Sequence, residues 1–248
     1  MKALFVALAG LSLACGGSPT SPSALPLSQN LETSSYLFQY SQGDRVDSDW
    51  QERYHAWASQ ALQVSVSRRI VYNKYVSLDH MGQLTRSYGT NAFADRQAFA
   101  VHTLWPIDNH EVIHLFGSLF GNPVALWTEG MAVAFQMNAP AGDFVATWNG
   151  TPVHTRARQF QEQGRLVRID ELLETRGFRS FDSDVTYPQA GSFVRYLLDT
   201  YGLETWKQLY GKGGPNDAAA DVRAHFAAVY GRTVASAEGD WLAMIGTR

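Results

Sequence analysis

The run His110-Glu111-Val112-Ile113-His114 carries the most chemistry per residue in this chain. Residues four apart on a helix stand one above the other, so His110 and His114 can aim two imidazole nitrogens at one metal ion. Glu111 then falls beside that ion instead of on it. From there its carboxylate can take a proton from water and hand it to a leaving group. An ordinary arrangement fits the same residues: Asp108 capping a helix with Glu111 three residues on, and two surface histidines.

A zinc site that does chemistry keeps three protein ligands and one open position. A third histidine six residues after the second would complete such a set, but that position is Phe120, which cannot ligate. A glutamate from a following helix is the other route. Glu129 stands in Trp127-Thr128-Glu129-Gly130, beyond the break Gly121-Asn122-Pro123 that turns the chain back. A helix restarting near Val124 brings Glu129 toward His110 and His114, with Gly130 and Ala132 letting the two helices approach closely.

Together with the later run Tyr187-Pro188-Gln189-Ala190-Gly191-Ser192-Phe193-Val194, these motifs resemble the gluzincin zinc metallopeptidases. Within that group the chain is similar to the peptidase-MA-like proteins related to the catalytic domain of aminopeptidase N. The resemblance spans about residues 34 to 248 and is densest in the centre. It implies zinc (Zn2+) on His110, His114 and Glu129, Glu111 as general base, and a peptide or protein substrate. It also implies that the strand-like stretch Ala98 to Leu104, just before the motif, lines the cleft and binds substrate backbone by strand addition; a half-buried strand with no open edge is the alternative. A neutral hydrogen-bond donor opposite the metal helps stabilise the oxyanion of peptide hydrolysis. Tyr187, after the glutamate and at the start of a helix, is the candidate, set against a tyrosine that only packs its ring there. The Gly-x-Met-Glu-Asn run with which aminopeptidases hold a free amine does not occur, so aminopeptidase specificity is not implied.

The surrounding pattern predicts an α+β fold: a small mixed or antiparallel sheet packed on the zinc-motif helix, then a mostly helical C-terminal lobe. Tyr36–Tyr40 and Arg69–Val76 read as strands. Asp47 can cap a helix carrying Trp50, Tyr54, Trp57, Ala58, Ala61 and Leu62 at helical spacing. Residues 143 to 155 read as a loop near the cleft, 156 to 163 as a helix, and 169 to 173 as a short helix. In the tail, Phe226, Tyr230, Trp241 and Leu242 predict a helical lobe that closes the cleft. His80 reads as a surface loop residue, and His102, His154 and His225 as packed or loop residues instead of site residues.

At the N-terminus, positions 1–14 hold one lysine and an apolar stretch too short to span a bilayer, which reads as a secretory signal. The single cysteine, Cys15, follows it and precedes Gly16-Gly17, like a bacterial lipoprotein processing site, although Ser12 stands where leucine is usual. Ordinary cleavage near Ala14 is the alternative. Either way the chain is expected to be exported to the cell envelope; on the lipoprotein reading it is anchored to the membrane through a lipidated Cys15, with residues 15–33 as a Ser/Pro/Gly-rich tether. No cysteine remains for a disulfide, so one core must supply the stability. A net charge of −3 gives no electrostatic footprint for nucleic acid. Two other functions remain open on the residues alone: a non-catalytic envelope lipoprotein with a structural zinc site, and a hydrolase of a non-peptide amide.

Overall fold

The computed structural model describes residues 25–136 and 145–247. The expected signal segment 1–14, Cys15, positions 16–24 of the tether and positions 143–144 of the expected loop lie outside the described residues. The protein is α+β, with a mixed five-stranded sheet followed by helices.

β2 (Tyr36–Tyr40) and β3 (Ile70–Lys74) pair in parallel, joined through α1 (Ser48–Ala61). Asp47 caps α1 by accepting from the Trp50 amide at 3.0 Å. Tyr54 and Ala58 bury the inner face of the helix, and Tyr36, Phe38 and Tyr72 are fully buried on the sheet. The tether expectation requires correction at its end. Gln29–Glu32 forms β1, antiparallel to β2 with Gln29 opposite Tyr40. Three of its four residues are exposed, so main-chain pairing, not an apolar pattern, holds it, and composition gave no sign of it.

His80 likewise departs from expectation. It lies in α2 (Leu78–Thr85), is buried, and its Nε2 sits 2.6 Å from the Leu25 carbonyl oxygen. β4 (Ala92–Asp95) and β5 (Ala100–Thr103) form an antiparallel hairpin, and the sheet order is β1-β2-β3-β5-β4. Of the two readings of 98 to 104, the strand with no open edge is the one found: it is the interior β5, flanked by β3 and β4. Its neighbour β4 is the edge and lines the cleft. Sequence alone could not separate them, because edge position depends on sheet order and not on side-chain pattern.

From β5 the chain passes directly into α3 (Asn109–Gly117), then α4 (Ala125–Phe135). A small hairpin of β6 (Thr147–Trp148) and β7 (Thr151–Pro152) follows, turning through Asn149 and Gly150, both at positive φ. Then come α5 (Val153–Glu162), a 3-10 turn at Ile169–Leu172, α6 (Thr175–Ser180), α7 (Ser183–Tyr201), α8 (Leu203–Tyr210), α9 (Ala219–Tyr230) and α10 (Val234–Gly246).

α7 packs on α4, and the contact is made by glycines. A Cβ on Gly130 would stand 2.6 Å from Val194 Cγ2, and one on Gly191 would stand 2.3 Å from Val133 Cγ1. The close approach expected of Gly130 thus serves α7 and not α3. The C-terminal helices do not close the cleft as expected. Phe226 stacks on Trp127, and Trp241 meets Phe193 edge-on, so they buttress the back of α4 and α7. A lobe and a buttress share one amphipathic pattern, because periodicity gives which face is buried but not against what.

Candidate metal centre

Two local devices set α3. Asp108 accepts from the Glu111 amide at 3.2 Å with one oxygen and from the Thr103 hydroxyl at 2.7 Å with the other. One carboxylate therefore caps the helix and fastens it to the end of β5. The capping arrangement weighed against a metal site is real, yet the two are compatible: His114 and Glu111 are buried, and His110 and His114 both line the cleft instead of a solvated surface.

Glu129 is the only charged side chain on α4, whose eleven residues are all buried. A carboxylate there must find partners, since an isolated buried charge is strongly unfavourable. Its Oε2 lies 3.1 Å from His110 Nε2 and 3.2 Å from His114 Nε2, and the two Nε2 atoms are 3.1 Å apart. A tetrahedral zinc with bonds of about 2.0–2.2 Å sets its ligand atoms about 3.3 Å apart, so this nearly equilateral triangle suits one such ion. Glu111 stands beside it, its ligand atom and those of the two histidines all within 4.8 Å of one another.

Further contacts orient the histidines. Gln136 donates from Nε2 to the Thr147 carbonyl oxygen at 2.8 Å, which leaves its Oε1, 2.7 Å from His110 Nδ1, to accept. His110 therefore carries a proton on Nδ1, which leaves Nε2, turned toward the triangle, as the atom that can ligate. His114 Nδ1 is buried with no hydrogen-bond partner among the described residues. The charge balance of the pocket also favours a cation. Burial opposes charging His110, but hydrogen bonding to Glu129 and the nearby Glu111 carboxylate outweigh it, and its pKa is pushed up to about 9. Burial likewise works against an ionised Glu129, yet His114 and His110 hold it well below the usual carboxylate range. Without a metal the triangle holds a proton that an ion would displace. Glu111 moves the other way: burial, aided by Asp108, raises it despite His114 and His110, toward the range of a working base.

Tyr187 lies in the second turn of α7, because the helix begins four residues earlier, at Ser183, with Asp182 accepting from the Asp184 amide at 3.0 Å. Its ring stacks on His110 with centroids 6.0 Å apart and packs against Trp148 and Phe178. Burial, together with nearby Glu129, pushes its pKa up to about 12, so at neutral pH it keeps its proton.

Sequence reasoning missed three neighbours. Arg179 on α6 donates from Nη2 to Glu129 Oε1 at 2.5 Å and from Nη1 to the Tyr187 hydroxyl oxygen. No motif surrounds it, and nothing in its local sequence marks it. Gln136 closes α4 without a recognisable signature. Trp148 had a signal, since Asn149-Gly150 is a strong hairpin dipeptide, and the hairpin places Trp148 on the cleft wall where a loop was expected. The other histidines considered do not reach the triangle. His102 is stacked on Phe93, His154 pairs with Ser192 at 2.9 Å, and His225 lies 3.7 Å from Asp217.

His110, Glu111, His114 and Glu129 line a cleft of about 1020 Å³ between the sheet edge and the helices. No protein-family model, curated protein or solved structure matches this chain.

Proposed function

We propose that this chain is a gluzincin-type zinc metallopeptidase, exported and anchored to the cell envelope through Cys15. The observation that carries the reading is the convergence of His110 Nε2, His114 Nε2 and Glu129 Oε2 within 3.1–3.2 Å, with Glu111 buried beside them on the floor of an open cleft. A structural zinc site would close its coordination with a fourth side chain, and Glu111, whose ligand atom lies within 4.8 Å of those of His110 and His114, is the candidate for it.

A zinc ion held by these three side chains would supply a Lewis acid that polarises a carbonyl and acidifies water. The chain's own residues do the rest. Glu111 accepts the proton of the attacking water and delivers it to the departing nitrogen. Tyr187, neutral and with its ring stacked on His110, donates its hydroxyl proton as a hydrogen bond to the oxyanion that develops on the substrate. β4 has one edge without a strand partner among the described residues, and an extended substrate can pair with it.

The cleft also bears on the substrate. Its walls include Phe93, Trp105, Trp148 and Phe181, which suit large apolar side chains. Among the described residues its acidic groups are Asp108, Glu111 and Glu129, each already engaged inside the site. The test is cleavage of a broad peptide library by the zinc-loaded protein with and without chelator, and with Glu111→Gln. Chelator-sensitive cleavage, lost in a variant that keeps its zinc, supports the reading. No cleavage by zinc-loaded protein, or full activity in Glu111→Gln, contradicts it.

A further inference from the structure

We propose that Arg179 is a positioning residue that aims two groups at once: it fixes Glu129 as a one-oxygen ligand and turns the Tyr187 hydroxyl proton toward the substrate. The inference rests on the hydrolase reading above.

The argument is one of donors and acceptors. A guanidinium has only donors, and a tyrosine hydroxyl has one proton and an accepting oxygen. Since Arg179 Nη1 meets the Tyr187 oxygen, the tyrosine must accept there, and its single proton cannot be spent on Arg179. The ring is fixed by His110, Trp148 and Phe178, so the hydroxyl has little freedom to aim that proton elsewhere than into the cleft. The second Nη binds Glu129 Oε1 while Oε2 faces both histidines. With Oε1 held, the carboxylate offers one oxygen to an ion and cannot swing to offer two.

The planar fork matters. One guanidinium spans both partners, and the compact ammonium of a lysine cannot match both bonds. The contact is also poorly explained as a fold determinant. The Arg179 side chain is 51% exposed, and the buried Glu129 carboxylate already faces His110 and His114, so Arg179 is not its sole partner.

The experiment uses the full chain, wild type against Arg179→Met, Arg179→Lys, Tyr187→Phe and Arg179→Lys/Tyr187→Phe, with thermal melts to verify folding. Zinc affinity is read by chelator competition, which needs no catalysis. We expect Arg179→Met to bind zinc about 10- to 100-fold more weakly, the range for loss of a residue that orients a ligand. At saturating zinc, kcat should fall with KM nearly unchanged. Arg179→Lys should regain more of the zinc affinity than of kcat, and in the Tyr187→Phe background it should cost no further kcat, because the two act through one hydroxyl. Unchanged zinc affinity in Arg179→Met, or full additivity of the lysine and phenylalanine changes in kcat, overturns the proposal. Weaker zinc binding in Arg179→Met, from a wild-type protein that cleaves no peptide, supports the positioning of Glu129 while removing the hydrolase reading, so the two failures are distinct.

Discussion

Two groups of histidines in this protein have had opposite things done to them. In the cleft, His110 and His114 turn their Nε2 atoms toward each other and toward a carboxylate, a crowding of lone pairs that only a proton or a cation relieves. Behind and beside it, His102 lies between Phe93 and Tyr75, its ring 4.5 Å from the first and its Nδ1 2.8 Å from the hydroxyl of the second. His154 shares Ser192 with Trp241, whose indole N–H donates to the same hydroxyl at 2.9 Å. The difference shows in the charge each ring favours. Burial pushes His102 down, despite Asp95, so that it stays neutral, whereas the carboxylates about His110 push it up to about 9. His102 and His154 meet hydroxyls away from the triangle, whereas His110 and His114 face each other and a carboxylate in the cleft.

Four experiments sharpen or break that contrast. The largest expected effect is in Glu111→Gln. Loss of a general base should lower kcat/KM by about 10²- to 10⁴-fold with zinc content unchanged, and an equal loss of zinc would mean Glu111 is a ligand. Gly130→Ala comes next. The new methyl would meet Val194 Cγ2 at 2.6 Å and the Ala190 carbonyl oxygen at 3.0 Å. We expect a cost of about 1–3 kcal/mol in denaturant melts, with weaker zinc binding because Glu129 is the adjacent residue. An unaltered protein would show that the α4–α7 contact does not hold the ligand in place.

Ser192→Ala probes the other group. It deprives the Trp241 indole and His154 of a buried partner, which should cost about 1–3 kcal/mol of stability, while zinc affinity and kcat stay at wild-type values. A fall in kcat at full zinc loading would move Ser192 and His154 into the reaction. The smallest effect is in pH. A folded pKa raised above the ordinary value of 6.5 means that protonated His110 stabilises the metal-free protein below about pH 6.5, and that this stabilisation is lost as pH rises through about 9. With zinc bound the ring has already given up that proton. The gap in Tm between zinc-loaded and metal-free protein should therefore widen from pH 6.5 to 9 by on the order of a few °C. A constant gap would indicate that His110 is not protonated in the metal-free cluster.

What could be read from the sequence was whatever depends on spacing along one element. The histidine pair, the Asp108 and Asp47 caps, the break before α4 and the strand β2 all follow from local pattern, and the structure has each in its expected place. What depended on how elements meet could not be read this way. β4 and β5 exchange the roles of edge and interior through sheet order alone. His80 becomes buried because the chain at Leu25 covers it, and Arg179 reaches Glu129 from fifty positions away. Neither contact leaves a trace in local periodicity.

The central claim is that His110, His114 and Glu129 share one ion and leave it a free corner. Anomalous diffraction at the zinc edge from crystals of the zinc-loaded protein tests this most directly. The account expects a single peak about 2.0–2.2 Å from His110 Nε2, His114 Nε2 and Glu129 Oε2, with no fourth side chain bound. A peak elsewhere, or one whose fourth position is filled by Glu111 or another side chain, would contradict it.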